Sequence, residues 1–129
     1  MGRIFVYATL RQGEAERSMI ADYIESSVPA TMKGCIYQLA EGPVACVDSA
    51  DEIMVGELLE LNDLPAAIPL LDNFQGEEFV RVLKMAALGD GTEVWAWVYM
   101  LADPERIATA TPIPGGDWLT WSAARPPDR

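Results

Sequence analysis

Three short stretches of this chain gather side chains able to bind a small molecule or handle its protons. Tyr7-Ala8-Thr9-Leu10-Arg11 ends an apolar run and precedes a stretch with helical spacing. A strand-to-helix turn leaves backbone N–H groups without partners, so it can hold a carboxylate or an oxyanion. The same residues also suit an ordinary connecting loop in which Thr9 satisfies local amides. Leu71-Asp72-Asn73-Phe74-Gln75-Gly76-Glu77-Glu78-Phe79-Val80-Arg81 crowds polar groups where a helix ends and a strand starts, a usual place for site residues. Its plainer reading is a Gly-terminated helix followed by a solvated acidic turn, with Arg81 paired to a nearby carboxylate. In Gly115-Gly116-Asp117-Trp118 the indole either lids a pocket or, more commonly, anchors the chain on the core.

Composition narrows the chemistry. None of the 129 residues is histidine, which excludes His-based dyads and triads, His-ligated zinc and a proximal-His haem. Cys35 and Cys46 lack C-x-x-C spacing and read as two buried thiols of a cytoplasmic protein, a disulfide between adjacent strands being the other possibility. There is no Asp-x-Asp-x-Asp-Gly calcium loop, and Gly89-Asp90-Gly91 is too short for a dinucleotide loop. No metal and no cofactor are expected. Nine Lys and Arg against 20 Asp and Glu give a net charge of −11, a field that repels polyphosphates, so neither nucleic acid nor an anionic membrane is an expected partner. The uncharged stretch between Arg106 and Asp117 falls far short of the roughly 20 apolar residues of a spanning helix. The apolar run before Arg11 is too short for an export signal, and Val6 stands where myristoylation at Gly2 requires Ser or Thr.

The elements that position these residues follow from periodicity. Arg3 to Leu10 suits a buried strand. Ala15, Met19, Ile20 and Tyr23 recur at 3.6-residue spacing and predict an amphipathic helix over 14–24, with Glu14 and Glu16 in its first turn and Pro29 ending the segment. Ala30 to Ala40, Pro43 to Asp48 and Ile53 to Leu61 read as strands. Asp63 can cap a helix through Leu71 and Phe74, with Pro65 in the first turn, Pro69 making it irregular or broken, and Gly76 ending it. Glu78 to Leu88 and Glu93 to Ala102 flank Gly89-Asp90-Gly91-Thr92, a hairpin signal.

Val94 to Leu101 is apolar on both faces, with Trp95, Trp97 and Tyr99 on one side, so helices, barrel closure or a partner chain must cover it. A small closed or half-closed barrel does this most simply because it also removes edges. The expected class is mixed α/β (α+β): a small, largely antiparallel β-barrel with flanking helices. It forms a single domain over 1–129, with 121–129 as a loose tail. A homodimer through the apolar strand faces is the matching protein partner.

Taken together, the three stretches resemble the gamma-glutamylcyclotransferase-like superfamily. Its members show Tyr-Gly-Ser/Thr-Leu after the first strand, where this chain has Tyr7-Ala8-Thr9-Leu10. Their middle motif is Leu-Asp-x-x-Glu-Gly-x-x-Tyr-x-Arg, matched here by Leu71 to Arg81, and their late Ser-Gly-Asp-Trp is similar to Gly115-Gly116-Asp117-Trp118. The resemblance implies a compact barrel with flanking helices and a polar cavity at one end. It also implies release of 5-oxoproline from a gamma-glutamyl amine or peptide: the substrate's own α-amine attacks its side-chain carbonyl, with no protein nucleophile and no metal. The backbone of Tyr7, Ala8, Thr9 and Leu10 would hold the substrate, and position 75 would carry the catalytic group.

That position is Gln75 where the family has Glu, and Ala8 replaces the family's glycine. An amide orients a substrate by hydrogen bonds but does not take the ammonium proton at neutral pH. The methyl of Ala8 disfavours positive φ and can crowd a ligand. Three readings follow. Another carboxylate serves as base, with Glu77, Glu78 and Glu41 as candidates; strand alternation would let at most one of Glu77 and Glu78 face inward. Alternatively, the chain is a silent relative that binds a small amino-acid-like ligand. In the third reading Gln75 is an engineered isosteric replacement made to trap a ligand; a structural or interaction domain with its pocket plugged and an exposed apolar surface around Trp95 and Trp97 is a separate class of function.

Overall fold

The computed structural model describes residues 2–8, 11, 15–39, 42–46, 52–103, 105–106, 110–118 and 120–121. Among the described residues, eight strands and the helix α1 run in the order β1 (Gly2–Val6), β2 (Ile24–Lys33), β3 (Cys35–Leu39), β4 (Gly42–Cys46), β5 (Ile53–Leu61), α1 (Leu64–Gln75), β6 (Phe79–Leu88), β7 (Glu93–Leu101) and β8 (Thr111–Pro112). Five strands close into a barrel in the order β1-β5-β2-β6-β7, and β4-β3-β8 form a separate three-stranded sheet. All pairings are antiparallel except the closing one, where β7 meets β1 in parallel at Ile4 and Trp97. Closure explains the two-faced hydrophobicity of β7. Ala96, Val98 and Met100 point into the barrel with Phe5, Met32, Met54 and Leu58, while Tyr99 joins an outer cluster under α1.

Several elements differ from the sequence expectation. The segment Ala15–Tyr23 is a 3-10 helix rather than an α-helix; Ile20 is buried and Met19 and Tyr23 are partly buried, so the apolar face is used although the winding is tighter. Pro29 ends no helix but sits inside β2. Its neighbour β6 pairs with β2 only at Ala30 to Met32, so Pro29 lies where one edge of the strand is open and a missing N–H is tolerated. Pro69 leaves α1 unbroken. It removes one backbone donor, while Ala67 and Leu71 bury the stripe that fixes the helix on the barrel. Asp63 caps α1 by accepting from the Ala66 amide at 3.3 Å, as expected.

The course of α1 sets the level of its last residue. Leu64 lies directly on Gly2, so close that a Cβ there would come within 2.3 Å of the leucine side chain. From that start α1 runs beside β1, with Leu71 clustered with Ile4 and Val6. Eleven steps at ~1.5 Å cover ~16 Å, about the reach of five strand residues at ~3.3 Å. Gln75 is the last residue of that run.

At Gly56 on β5 the barrel admits no side chain: a Cβ would stand 2.2 Å from the Val6 carbonyl oxygen and 2.7 Å from the Phe5 ring. Gly89, at the hairpin tip, has open space around it. Urea unfolding is expected to show Gly56→Ala destabilised by about 1–3 kcal/mol or more through overpacking, with Gly89→Ala near neutral.

Candidate functional site

β1 stops at Val6, because Tyr7 and Ala8 turn away from the ladder while remaining buried in the inner cluster. The Arg11 amide donates to the Ala8 carbonyl at 3.0 Å and closes the turn. Thr9 and Leu10 lie outside the described residues. Tyr7 Oη donates to the Tyr99 carbonyl at 3.0 Å. Burial pushes the Tyr7 phenol well above its ordinary range, with the nearby Ala45 backbone partly opposing the shift. Tyr7 is thus a neutral, fixed hydrogen-bonding group. Ala8 is 6% exposed, its methyl belongs to the inner cluster, and no described non-glycine residue has positive φ. The strain expected from replacing glycine at this position is absent.

Gln75, the last residue of α1, is half-buried on the stripe that carries Ala67 and Leu71. Gly76 follows, its N–H bonded to the Asp72 carbonyl at 3.0 Å. One helical turn before Gln75, Asp72 accepts from Tyr99 Oη at 2.6 Å and from Arg81 Nε and Nη2, both at 3.1 Å. Arg81 also lies over the Trp97 ring, 5.0 Å from its centroid. The hydrogen bond from Arg81, then that from Tyr99, holds the Asp72 carboxyl below its ordinary value. Burial, followed by the bond to Asp72, raises the Tyr99 phenol. Tyr99 thereby links the two stretches: its carbonyl takes Tyr7 from the first, and its hydroxyl holds Asp72 of the second.

The alternative carboxylates separate in an unexpected way. Glu77 and Glu78 occupy a turn before β6, so strand alternation does not apply to them. Glu78 is ion-paired with Arg106. Glu77 lines a groove of about 510 Å³ on the outer wall, with Asp72, Asn73, Phe79, Arg81 and Tyr99 among its other residues. Neither Gln75 nor Tyr7 lines that groove. Glu41 lies outside the described residues.

The third stretch joins the first. Asp117 Oδ1 accepts from Arg11 Nη1 at 2.8 Å, and Trp118 Nε1 donates to Gln38 Oε1 at 3.0 Å, anchoring the indole on β3. Burial would raise the Asp117 carboxyl, but the bonds from Arg11 and the Thr120 amide outweigh it and hold it low.

Sequence reasoning missed Glu57 on β5, a mostly buried carboxylate. Its Oε1 accepts from Arg17 Nη1 at 2.7 Å and Ser27 Oγ at 3.2 Å, and its Oε2 lies 3.5 Å from Arg11 Nε. The available signal was an acidic residue between Val55 and Leu58 in a largely apolar strand that also carries Glu60. Trp95 is 60% exposed, beside exposed Leu83 and Met85. Among the described residues, no group of three or more His, Cys, Asp or Glu side chains could hold a metal ion, and no helix is long and apolar enough to cross a membrane.

Residues 4–120 match the family described as gamma-glutamyl cyclotransferase, AIG2-like. The chain is 31% identical over 117 residues to the putative gamma-glutamylcyclotransferase YkqA of Bacillus subtilis (strain 168), a match covering 89% of this chain and 40% of that protein. The crystal structure of YkqA is similar at a TM-score of 0.74 and 25% identity, covering 98% of this chain and 44% of the other. The chain thus spans less than half the length of this curated relative. The crystal structure of an AIG2-like protein from Mus musculus shares the fold, with a TM-score of 0.70 at 18% identity over 100% of this chain and 98% of that one.

The Asp72 carboxyl is held below 3.8, so its ionised form contributes stability above that value and loses it as the pH falls through the folded value. Asp72→Asn is expected to lower stability near pH 7, and the gap to the native protein should close below about pH 4. Urea unfolding of both proteins across pH measures this.

Proposed function

The chain belongs to the gamma-glutamyl cyclotransferase, AIG2-like family, and on that premise we propose that it binds a gamma-glutamyl amine or peptide at the barrel end where the turn after β1 meets the end of α1. One observation carries this reading. Tyr99 receives Tyr7 on its carbonyl and binds Asp72 through its hydroxyl, so the turn after β1 and the last turn of α1 are tied to the same residue of β7. Family resemblance supplies the reaction: the substrate's α-amine attacks its side-chain carbonyl, the bond to the departing amine breaks, and 5-oxoproline leaves. The turn after β1 orients the glutamyl part through backbone groups, while Tyr7, neutral and fixed, keeps that turn in place.

Residue 75 sets the rate. The attacking amine must shed a proton as its bond to carbon forms, and the departing nitrogen must gain one. The Gln75 carboxamide can hold the amine by a hydrogen bond but has no basic site for that proton at neutral pH. The remaining acceleration comes from folding the substrate into a reactive geometry. Glu77 is the carboxylate best placed near this end without a described ion pair of its own, yet it faces the outer groove. It therefore does not replace the missing base.

A second reading, a catalytically silent binder of a small amino-acid-like ligand, is favoured by Gln75 itself. It keeps the same site and ligand class and omits turnover. A cytoplasmic protein using neither metal nor cofactor completes either version.

The test is 5-oxoproline release from a panel of gamma-glutamyl dipeptides and amines. The native protein should turn over slowly, and Gln75→Glu should be faster by about 10²–10⁴-fold, the range a general base supplies. Saturable binding to the native protein without release would select the silent binder. A flat assay and absence of binding in both proteins would end the proposal.

A further inference from the structure

Arg11 joins the first motif stretch to the third and to β5, and every one of its side-chain partners comes from outside its own stretch. Nη1 reaches Asp117 Oδ1 at 2.8 Å and the Val55 carbonyl at 3.4 Å, and Nε lies 3.5 Å from Glu57 Oε2. Glu57 in turn holds Arg17 at 2.7 Å, so a single carboxylate on β5 grips the chain on both sides of 12–16. Side-chain exposure is 12% for both Arg11 and Glu57 and 17% for Arg17. The Arg11 main chain closes the turn by donating to Ala8. The guanidinium is thus hydrogen-bonded through Nη1 and ion-paired to Glu57 through Nε, and it belongs to the residue whose main chain closes the turn after β1.

Such a lattice is poor value as stabilisation alone. Removing two cations and two carboxylates from water costs several kcal/mol per ion, and apolar residues of similar size often stabilise as well. What it supplies is geometry: a planar fork between two fixed carboxylates has few orientations, whereas an ammonium in the same place has many.

We propose that Arg11 is the positioning residue of the ligand-holding turn, acting through Asp117 and Glu57 without itself touching ligand. This rests on the proposed function for the ligand at that turn and goes beyond it by assigning the C-terminal Asp117 a part in ligand geometry. The late Gly-Asp-Trp stretch then serves the site from behind: Asp117 fixes Arg11, Arg11 fixes the turn, and Trp118 bonded to Gln38 holds the stretch itself in place.

The experiment uses Gln75→Glu as the reporter of turnover, alone and combined with Arg11→Lys or Asp117→Asn. A misplacement of the turn should raise KM and lower kcat/KM by about 10-fold to 100-fold with Arg11→Lys. Asp117→Asn should give part of the same loss, and the two should not add. The melting temperature of each variant is the structural control, since a purely structural role lowers it while leaving KM per folded molecule unchanged. Unchanged KM and kcat in a working Gln75→Glu background would overturn the inference and leave the functional reading intact. No turnover or binding in any background would be the failure of the functional reading. Amide exchange at position 11 then decides the clamp: about 10-fold faster exchange in Arg11→Lys, with the β1–β5 ladder unchanged, supports it, and equal exchange overturns it. If Arg11→Lys does not fold, Asp117→Asn, which keeps the Glu57 contacts, carries both measurements.

Discussion

Tyr99 makes two hydrogen bonds that hold apart and align two walls of this barrel. Its carbonyl, in the strand that closes the barrel, accepts from Tyr7 on the inside, and its hydroxyl donates to Asp72 on the outside. Each bond is worth only about 1 kcal/mol net, but a partner left unmatched in a buried place costs about 1–3 kcal/mol. The arrangement is therefore hard to loosen at one end only. Because Asp72 is also gripped by Arg81 of β6, the α1 helix is tied to two neighbouring strands at its C-terminal end. Its N-terminal end is fixed independently, by Asp63 capping and by Leu64 against Gly2. A helix pinned at both ends presents its last residue at a defined height, which is the requirement for any site that includes Gln75.

Much of this scaffold is legible in the sequence because its signals are local. The strand Ile53–Leu61, the β6–β7 hairpin with its glycine-rich tip, and the capped helix ending before Gly76 all follow from alternation, turn chemistry and capping. Closure of the barrel follows from β7, a strand apolar on both faces: of helices, a partner chain and closure, closure covers it most simply because it also removes edges. Proline is the residue type whose local rule the tertiary structure overrides. Pro29 and Pro69 were expected to interrupt, yet an open strand edge accommodates one and a well-buried helical stripe overrides the other. The 3-10 winding of 15–23 was illegible for a related reason, since the same apolar face can be buried by either helix type and tertiary contacts decide which.

The polar layer behind the site was not legible. Arg11 and Asp117 are 106 positions apart, and Arg17 and Glu57 are 40 apart. No periodicity connects residues at such separations. The family-like motifs point at Tyr7, Ala8 and Gln75, and they do so without showing what keeps those residues in place. Glu57 is visible only as one of two glutamates in a largely apolar strand, and the sequence does not show that it, unlike Glu60, is the buried one. Such burial is informative because a carboxylate is seldom buried unless cations come to meet it.

The remaining question is why an amide at position 75 suits this chain structurally. Residue 75 is the last of α1, where the helix presents the negative end of its dipole, and Asp72, Glu77 and Glu78 lie close by in a protein of net charge −11. A glutamate there would be destabilised as an anion by each of these features, and its proton affinity would rise accordingly. For a base that must accept an ammonium proton near neutral pH, that rise is useful. For the fold it is a cost. Gln75 keeps the shape and the hydrogen-bonding reach of glutamate while removing the anion, so it relieves the helix terminus at the expense of proton transfer. Gln75 thus leaves the end of α1 with the reach of a glutamate but without its charge, at the one position of the middle motif where the family carries the acid.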